Sequence, residues 1–519
     1  MPTLTIDSRR IAAPAGSTIL QAARAAGIEI PTLCHLEGFE AGASCMVCAV
    51  KLTHNGQFIP ACGSRVVDGM EVESDSPEVR DARRMALELL FSDHLGDCLS
   101  PCQRICPAHL SIPAVLKHLR ENQPGHAAAT IRRDLALAGV LCRVCHRPCE
   151  SGCRRGTCDE PVAIADLVAH ATDVERAAGP LRLPPAPPRL STRVAVVGAG
   201  FTGLATAWFL HQHGIPCAVF DEHPRPATTI RSQFPDLPDD LLDAELELLE
   251  RAGVEFRPAT RVADSAALAA LAQGFAAVVL ATGPHTAAHA AALGLAADAH
   301  KLAADKESMM TNHEGVFAAG RAVRPAGMPV QSVADAKAVA ACVHQYLTDQ
   351  PVRRPPKPFS VFMGKVLGDE LHDFLLESNP GHRAATIDVG RAIAESARCV
   401  LCNCAKADAC KLRQLAIDYG ANPHRFSTGE RLRYSRNVDH PLVRFEPGKC
   451  IRCGNCIKVA GEHADALGLT FIGRGFDVHL GVPFHQSMRE ALLTAARAAV
   501  AACPTGALTL RDDPPRPAQ

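Results

Sequence analysis

The pattern of apolar and polar residues predicts a small α+β unit at the start of the chain. Alternation in "TLTID" (residues 3–7) and "CAVKL" (48–52) predicts strands. The segment "TILQAARAA" (18–26) predicts a short helix that Ser17 caps and that ends at Gly27. Further on, "PAVLKHLREN" (113–122) and "HAAATIRRDLALAG" (126–139) have helical periodicity.

The middle of the chain has a different pattern, in which buried strands alternate with glycine turns and helices. "RVAVVGAGFTGLATAWFLHQHG" (193–214) is an apolar strand, a glycine turn and a helix, and "CAVF" (217–220) is a second strand. Two proline-rich segments flank this region, "GPLRLPPAPPR" (179–189) and "QPVRRPPKP" (350–358), and we interpret them as extended linkers. The tail "RDDPPRPAQ" (511–519) is predicted to be disordered.

Length and charge narrow the class of protein. A chain of 519 residues is expected to form about three to five units, since a domain has roughly 100–200 residues. The net charge of −1 gives no electrostatic case for nucleic acid or an anionic membrane surface. No run approaches the ~18 apolar residues of a membrane span, and the N-terminus has no apolar signal segment. The chain is therefore expected to be cytoplasmic.

The 22 cysteines change the picture, because this number in a large cytosolic chain indicates metal or redox chemistry rather than disulfides. Twenty of them fall within residues 34–62, 98–158, 399–410 and 450–503. Cys217 and Cys342 stand alone and are expected to be buried structural thiols.

The first cysteine group has the spacing C-x10-C-x2-C-x13-C, formed by Cys34, Cys45, Cys48 and Cys62. Four thiolates are what a [2Fe–2S] centre requires, and zinc is the alternative. Gly42 in the loop before Cys45 would let backbone amides approach the cluster. Residues 1–92 resemble the β-grasp [2Fe–2S] domain of the large iron–sulfur subunit of complex I and of its relatives in soluble hydrogenases and formate dehydrogenases.

The second group places nine candidate ligands within 65 residues, and eight cysteines match two [4Fe–4S] clusters. Residues 93–179 resemble the N-terminal domain of the glutamate synthase small subunit and of dihydropyrimidine dehydrogenase. The resemblance implies interleaved ligands: one cluster held by Cys98, Cys102 and Cys153, the other by Cys106, Cys145 and Cys149.

The fourth ligands of these two clusters depart from the family pattern. His94 stands where the family has a cysteine, and complex I relatives use a histidine ahead of three cysteines; the alternative is an ordinary surface histidine. Cys158 or Cys142 would serve the second cluster. Imidazole ligation would raise the reduction potential of its cluster, as it does in Rieske centres.

The strand, glycine turn and helix form a dinucleotide fingerprint. Gly198 makes the tight turn, Gly200 lets the backbone approach a pyrophosphate, and Gly203 permits close helix packing. Asp221 ends the second strand and would accept hydrogen bonds from ribose hydroxyls. "AAVVLATG" (276–283), with Thr282 and Gly283, and "GVFAAGRAV" (315–323), with Gly320, resemble later motifs of two-dinucleotide-domain flavoproteins, so FAD is preferred over NAD.

Two departures from those flavoproteins affect the interpretation. Arg321 stands where the glutamate synthase family has an acid that binds the ribityl chain. Family members also insert an NAD(P)H-binding domain between the two later motifs, but here only 31 residues (284–314) lie there, about one βαβ unit of roughly 30 residues. The chain is therefore not expected to take hydride from a nicotinamide by itself.

The C-terminal cysteines form two more candidate sites. Cys399, Cys402, Cys404 and Cys410 have the spacing C-x2-C-x1-C-x5-C, which suits either a [4Fe–4S] cluster or a structural zinc ion. "KCIRCGNCIKVAGEHADALG" (449–468) begins a ferredoxin motif in which Ala460 replaces the expected fourth cysteine. In two-cluster ferredoxins that cysteine serves the other cluster, so Cys450, Cys453 and Cys456 are completed by Cys503 of "AACPTGAL".

Taken together, the sequence predicts a multidomain α+β and α/β protein in which every candidate residue binds a cofactor and none is catalytic. The predicted parts are a β-grasp [2Fe–2S] domain (1–92), a helical two-cluster domain (93–179), a linker (180–190), a Rossmann-like FAD domain (191–350), a linker and helical segment (351–395), a four-cysteine metal site (396–440) and a ferredoxin-like [4Fe–4S] domain (441–512).

The favoured function is an electron-transfer subunit with one [2Fe–2S] cluster, three or four [4Fe–4S] clusters and FAD. The resemblances imply protein partners in a hetero-oligomer: an NAD(P)-linked flavoprotein and a catalytic subunit of the hydrogenase or formate dehydrogenase type. The alternatives are a self-sufficient NADPH-oxidising enzyme of the glutamate synthase small-subunit kind and a zinc-bearing scaffold with a vestigial flavin fold.

Overall fold

The computed structural model describes residues 1–185, 187–284, 287–298, 300–324, 326–366, 368–427, 429, 431–463 and 467–511. The predicted disordered tail, apart from Arg511, lies outside the described residues. The chain divides into two compact units. Unit 1 comprises Met1–Leu99, Phe359–Glu377 and the residues from Leu401 onward, and unit 2 comprises Ser100–Pro358 and Ser378–Val400.

Short strands and helices alternate along the described residues. The strands are β1 Thr3–Ile6, β2 Arg9–Ala12, β3 Ala49–Leu52, β4 Phe58–Pro60, β5 Met70–Glu73, β6 Val194–Val197, β7 Cys217–Phe220, β8 Glu255–Arg257, β9 Ala277–Leu280, β10 Ala297–Asp298, β11 Lys301–Leu302, β12 Val316–Ala318, β13 Val443–Phe445, β14 Thr470–Ile472, β15 His479–Gly481 and β16 Leu508–Leu510. The helices are α1 Ile19–Ala25, α2 Pro77–Ser92, α3 Pro101–Ile105, α4 Ile112–Arg120, α5 Pro124–Asp134, α6 Ala138–Val144, α7 Pro148–Ser151, α8 Ile164–Ala177, α9 Phe201–Gln212, α10 Thr228–Gln233, α11 Asp239–Arg251, α12 Ser265–Gly274, α13 Ala287–Ala292, α14 Pro329–Leu347, α15 Leu371–Leu375, α16 Val389–Ser396, α17 Lys411–Asp418, α18 Asn455–Glu462, α19 Met488–Ala491 and α20 Ala496–Ala502.

Unit 1 begins with a mixed sheet in the order β2-β1-β5-β3-β4, in which only β1 and β5 are parallel. Strands β1 and β3 lie where the alternating pattern predicts them, whereas the pattern did not single out β2, β4 or β5. The helix α1 begins one residue later than predicted, because Thr18 rather than Ser17 is its N-cap. The Gln21 amide donates to the Thr18 hydroxyl at 3.2 Å, and the Gln21 side chain accepts from the Thr18 amide at 2.9 Å, which completes a capping box.

The C-terminal part of unit 1 is built from two antiparallel strand pairs, β13 with β16 and β14 with β15, and from the helices α18 and α20. These helices pack on each other. Val443, Leu480, Ala499 and Leu508 lie in their common core, together with Cys456 and Cys503. Two of the predicted cluster ligands are thus part of the hydrophobic core.

Unit 2 contains a parallel sheet in the order β12-β9-β6-β7-β8. The chain order reverses beside β6, and this strand order is that of a dinucleotide-binding half. Helix α9 follows the glycine turn and is apolar all round, with every residue from Phe201 to Leu210 buried. Helix α14 packs along it. The strand, turn and helix therefore lie where the sequence predicts them.

The segment between Gly283 and Gly315 is short in the structure as well. Its described residues form α13 and a two-stranded antiparallel hairpin of β10 and β11. No parallel strand pair occurs among the residues described there. A second dinucleotide-binding domain is therefore absent from this part of the described chain.

Neither proline-rich segment forms a helix or strand in its described residues, in agreement with the predicted extended conformation. Both are nevertheless anchored on unit 2. The Arg189 guanidinium donates to the Ala252 carbonyl at 3.1 Å, and Arg354 contacts the buried Asp335 carboxylate at 3.1 Å. Among the described helices, none has the length and apolar character to cross a membrane.

A buried ion pair joins the helical part of unit 2 to its sheet-bearing part. Arg132 in α5 contacts Glu175 in α8 at 2.8 Å and Glu245 in α11 at 3.0 Å, and all three side chains are no more than 5% exposed. The Arg132 carbonyl also accepts from the Trp208 indole of α9 at 2.9 Å. Removal of the cation would leave two buried carboxylates without their partner.

We predict that Arg132→Ala lowers the free energy of unfolding of unit 2 by about 3–5 kcal/mol, because uncompensated buried charge is costly. Arg133→Ala is the matched control, since this neighbouring side chain is 63% exposed and its pairing with Asp134 is expected to contribute at most about 1 kcal/mol. Urea denaturation followed by the fluorescence of Trp208, the sole tryptophan, measures both. Equal effects of the two substitutions would contradict the prediction.

Candidate metal centres and flavin site

The structure brings the four N-terminal cysteines together in unit 1. The loop before β3 supplies Cys45 and Cys48, the segment after α1 supplies Cys34, and the end of β4 leads to Cys62. All four are buried. Cys34 is hydrogen-bonded to Cys45 and Cys62, and Cys48 is hydrogen-bonded to Cys62.

These thiols shift one another's pKa values because they are in contact. The hydrogen bond with Cys45 lowers the pKa of Cys34, and the hydrogen bond with Cys62 lowers the pKa of Cys48 to about 7. The pKa values of Cys45 and Cys62 are raised, in both cases chiefly by the hydrogen bond with Cys34. Such a group is suited to release its protons to metal, since bound thiolates must be deprotonated.

A second group of thiols in unit 1 consists of Cys450, Cys453, Cys456 and Cys503. Burial raises the pKa of Cys450 to about 11 and that of Cys453 to about 12, and the charge of Cys503 adds to both shifts. The pKa of Cys456 is also raised, first by burial and then by the other three. The loop that holds them turns through Arg452 and Gly454, which have φ of 53° and 75°. The returning Cys503 therefore lies with the three cysteines of the motif.

The first and second groups adjoin each other. The charge of Cys34 acts on Cys453. The Asn455 side chain donates to the Leu33 carbonyl at 3.2 Å, and Lys458 donates to the Glu40 carbonyl at 2.6 Å. The two cysteine loops thus pack against one another within unit 1.

A third group of thiols lies in unit 2. Cys106 follows α3, while Cys145 and Cys149 flank the start of α7. Burial raises the pKa of all three, that of Cys149 to about 12, and the charge of Cys106 raises those of Cys145 and Cys149 further. The structure therefore brings together the three ligands that the sequence assigned to one cluster.

The other cysteines of the 98–158 region are distributed differently. Cys153 and Cys158 are half-buried, and the charge of Cys153 acts on Cys158. Cys142 donates to the Gly139 carbonyl at 3.3 Å, and the charges that act on it are those of Arg143, Asp173 and Glu245. Cys102 contacts the Ser100 hydroxyl at 3.1 Å. Cys217 and Cys342 are buried, as predicted.

The row of cysteines at 399–410 is divided between the units. Cys399 belongs to unit 2 and packs against its core, whereas Cys404 and Cys410 are buried in unit 1. Cys402 is half-buried at the start of the returning segment of unit 1.

Cys404 and Cys410 have a partner that the sequence grouped elsewhere. The charges of Cys404 and Cys98 both act on Cys410, and that of Cys404 acts on Cys98. Cys98 lies in unit 1, while Cys102 and Cys153, its expected companions, lie in unit 2. Within the described ranges, no group of three or more His, Cys, Asp or Glu side chains has the geometry to hold a single metal ion.

The pKa of His94 differs from that of an ordinary surface histidine. Burial, and then the charge of Lys449, lower its pKa to about 4. Its ring meets Phe91 edge-on at 5.7 Å, and its Nδ1 atom is buried without a hydrogen-bond partner among the described residues. Lys449, which the sequence did not single out, is itself buried and contacts Glu446 at 2.5 Å.

The dinucleotide fingerprint borders a cavity of about 380 Å³ in unit 2. The cavity lies at the carboxyl ends of β6, β7 and β9, where open parallel sheets bind nucleotides. Its lining includes these predicted residues: Gly198, Gly200, Asp221, Thr282, Gly283 and Arg321.

Glycine is required at different positions of the flavin-type site for different structural reasons. A Cβ atom at Gly203 would lie 1.7 Å from the Gly198 carbonyl oxygen, so the helix can approach the strand only without it. A Cβ at Gly320, which has φ of 64°, would lie 2.0 Å from the Thr202 hydroxyl. At Gly200, by contrast, a Cβ would meet no protein atom within 4 Å, because this position faces the cavity.

Asp221 already organises the turn. Its carboxylate accepts from the Ala199 amide at 2.6 Å and from the His223 amide at 2.9 Å. The His223 ring lies 2.8 Å from the same carboxylate. The acid therefore holds the glycine turn in place while it borders the cavity.

The cavity is adjacent to the third thiol group. His146, the residue after Cys145, lines the cavity together with the fingerprint. Sequence reasoning missed His146, although its position between two predicted ligands was a usable signal. An FAD-sized occupant and a cluster on these thiols would be neighbours in unit 2.

Three family models match successive parts of the chain. Residues 1–77 match a 2Fe-2S iron–sulfur cluster binding domain. Residues 95–180 match dihydropyrimidine dehydrogenase domain II, 4Fe-4S cluster. Residues 155–338 match pyridine nucleotide-disulphide oxidoreductase. The chain is thus a mixed α/β protein with an N-terminal β-sheet domain, a helical cluster domain and a Rossmann-like domain, and it has the iron–sulfur and flavin-type domains expected of an oxidoreductase subunit.

Similar curated proteins are redox subunits. The chain is 34% identical over 209 residues to the NADP(+)-dependent formate dehydrogenase subunit beta of Moorella thermoacetica, which covers 36% of this chain and 30% of that protein. It is 35% identical over 193 residues to the NADPH-Fe(3+) oxidoreductase subunit beta of Geobacter sulfurreducens, covering 36% of this chain and 28% of the relative. It is 32% identical over 162 residues to the NAD-dependent dihydropyrimidine dehydrogenase subunit PreT of Escherichia coli, covering 30% and 39%. The chain thus matches well under half the length of each of these relatives.

We predict that Gly200→Ala leaves the fold intact but lowers the flavin content per chain severalfold, because the added methyl group enters only the cavity. Gly274→Ala is the control, since this position also has no protein atom within 4 Å of a Cβ and is not part of the cavity lining. Absorbance and circular dichroism measure both properties. Full flavin content in Gly200→Ala would contradict the assignment of the cavity.

We also predict that Cys503→Ser removes one [4Fe–4S] cluster, or about four iron atoms per chain. Ala460→Cys should add no cluster, because residue 460 lies buried in α18 and the three cysteines of a second site are missing from the segment before Cys503. Iron and acid-labile sulfide analysis measures both. Extra iron in Ala460→Cys would overturn the interpretation of a ferredoxin reduced to one cluster.

Proposed function

We propose that this chain is the electron-transfer subunit of a multi-subunit redox complex, an iron–sulfur flavoprotein with no substrate chemistry of its own. It would relay electrons between an NAD(P)-linked flavoprotein and a catalytic subunit of the hydrogenase or formate dehydrogenase type. The observation that carries the proposal is the placement of adjoining thiol groups around one core in unit 1 and of a thiol group beside the flavin-type cavity in unit 2.

The arrangement in unit 1 supports a relay rather than a set of isolated structural metals. The loops of Cys34 and Cys453 pack on each other. On the other side of the second group, Lys406 donates to the Cys503 carbonyl at 2.5 Å, and the Lys411 amide donates to the Pro504 carbonyl at 3.0 Å. The segment 404–411 therefore adjoins the second group, so that successive centres would be neighbours.

The arrangement in unit 2 supports an exchange between a flavin and a cluster. FAD would supply the conversion between paired and single electrons, which iron–sulfur clusters cannot perform. The chain's own residues would bind and orient it: the free amides at the start of α9, after Gly200, would bind the pyrophosphate, and Asp221 holds the turn through the Ala199 amide. His146 lines the cavity directly after Cys145 in the chain, so it would contact FAD bound there.

The short connection between Gly283 and Gly315 supports the need for partners. Its described residues form a helix and a small hairpin, which lack the paired parallel strands of a nicotinamide-binding half. Hydride transfer from NAD(P)H would then occur on another subunit. The names of the relatives, which are subunits of formate dehydrogenase and NADPH-Fe(3+) oxidoreductase, agree with such an assembly.

One observation favours a second candidate, a self-sufficient NADPH-oxidising enzyme. The pyridine nucleotide-disulphide oxidoreductase model matches residues 155–338 and spans the short connection. In that case a nicotinamide would react directly at the cavity.

We predict that NADPH leaves the flavin absorbance of the isolated, anaerobically purified chain unchanged, while dithionite reduces both flavin and clusters. The reason is that the described connection offers no nicotinamide-binding half. Iron is expected to exceed zinc severalfold by elemental analysis. Rapid bleaching by NADPH would establish the self-sufficient enzyme instead, and a majority of zinc would establish a scaffold.

A further inference from the structure

Two segments that are about 300 residues apart in the sequence meet in unit 1. The first passage of the chain through unit 1 ends at Leu99, and its last passage begins at Leu401. The Cys404 amide donates to the Asp97 carbonyl at 2.8 Å and lies 3.3 Å from the Cys98 carbonyl. Asp97 and Asn403 pair as a parallel bridge. The point of departure and the point of return are therefore held side by side by the backbone.

Three buried thiols lie together where these two segments meet. Cys98, Cys404 and Cys410 are each 7% exposed. The three thiols are close enough that the charge of Cys404 acts on Cys98 and Cys410, and that of Cys98 acts on Cys410. The cations of Arg413 and Lys449 face Cys98. The three thiols are thus gathered and buried without a disulfide between them.

The surrounding backbone is packed tightly around the three thiols. A Cβ atom at Gly506 would lie 2.2 Å from the Cys404 sulfur, and one at Gly96 would lie 2.8 Å from the Lys449 side chain. Cys404 therefore lies directly against the backbone of the last strand region, where only glycine fits. Gly96 lies between His94 and Cys98 and allows both to approach Lys449.

A fourth donor is available from His94. The residue is half-buried, and its Nδ1 atom is buried without a hydrogen-bond partner among the described residues. The ring meets Phe91 edge-on at 5.7 Å, and an imidazole nitrogen is a common metal ligand. Lys449 is a common neighbour of His94, Cys98 and Cys404. A buried imidazole nitrogen without a partner is an unexplained cost unless it binds something.

We propose that Cys98, Cys404 and Cys410 bind one iron–sulfur cluster in unit 1 and that His94 is its fourth ligand. This set crosses the two groupings expected from the sequence, because Cys98 leaves Cys102 and Cys153, and Cys404 and Cys410 leave Cys399. An iron–sulfur cluster spreads its ligands over several iron atoms, so the thiols need not converge on one ion position. Three thiolates and an imidazole would give the cluster a higher reduction potential than four thiolates.

The proposal has a topological consequence for unit 2. Its main segment, Ser100–Pro358, begins two residues after one ligand and ends before two others. The cluster would therefore link the two points in the chain between which the main segment of the flavin-type unit is inserted. This inference goes beyond the proposed electron relay and does not require it, since the site would bind metal whatever its partner proteins are.

The test uses the full chain, purified anaerobically, with iron, sulfide and flavin analysis and electron paramagnetic resonance of the dithionite-reduced protein. Cys98→Ser, Cys404→Ser and Cys410→Ser are each expected to lose the same signal and about four iron atoms per chain. Cys342→Ser is the control, because this buried thiol of α14 belongs to the core of unit 2 and is not a candidate ligand of any cluster. Retained flavin and [2Fe–2S] signal show that a variant has folded.

Cys399→Ser distinguishes the proposed ligand set from the four-cysteine site at 399–410. On the proposal it keeps the signal that Cys404→Ser loses. If instead Cys399→Ser and Cys404→Ser lose the same signal and Cys98→Ser keeps it, the four-cysteine site at 399–410 is correct and the proposal is overturned. Zinc in place of iron at this site would also overturn it.

Ligation by imidazole can be measured directly in the unmodified protein. Pulsed electron paramagnetic resonance is expected to detect a strongly coupled ¹⁴N nucleus on this cluster, and His94→Cys should abolish that coupling, retain the iron and lower the midpoint potential. An unchanged potential and the absence of nitrogen coupling in the natural chain would overturn His94 as the ligand and favour Cys402. Because these measurements need no NAD(P)H and no partner, they can fail or succeed independently of the proposed function.

Discussion

The hydrogen bond from the Cys404 amide to the Asp97 carbonyl, 2.8 Å long, is the contact on which the organisation of the chain depends. It joins the first and last passages of the chain through unit 1. The Asp97 carboxylate, in a residue only 1% exposed, also accepts from the Met363 amide at 3.1 Å, so the middle passage is attached to the same residue. Leu99 adds a bond to the Ser360 hydroxyl at 3.1 Å. With the ends held together, a whole unit can be inserted without disturbing the one that receives it.

Burial of thiols is the second constraint, and it explains why metal and fold depend on each other. Outside the first group, burial raises the pKa of thiols such as Cys149, Cys410 and Cys456, and the neighbouring thiols raise it further. Ionising several such thiols together is unfavourable without positive charge, which iron or zinc supplies. The protein provides part of the compensation itself through buried cations such as Lys449, paired with Glu446. Binding of metal would therefore contribute directly to the stability of these loops.

Unit 2 follows the ordinary rules of α/β architecture, and its cavity and its thiol group lie side by side. The strand order brings the carboxyl ends of β6, β7 and β9 to one cavity, and the glycine turn leaves room there. The buried contacts of Arg132 with Glu175 and Glu245 tie the cysteine-bearing helices to the sheet-bearing part. This connection explains how His146, on the helical side, comes to line a cavity that belongs to the sheet. The cavity and the third thiol group are therefore fixed relative to one another by the same core.

Local structure and the local grouping of cysteines followed from the sequence alone. Short-range periodicity predicted β1, β3, α9 and the dinucleotide fingerprint. C-x2-C spacings identified the groups around Cys45 and Cys450, because those loops are determined by neighbouring residues. Only the tertiary structure decided where Cys98 belongs and that the row at 399–410 is divided. Spacing cannot encode a contact between residues that are about 300 positions apart, since such a contact arises from the backbone pairing of Asp97 with Asn403 and from the burial of three separate passages in one core.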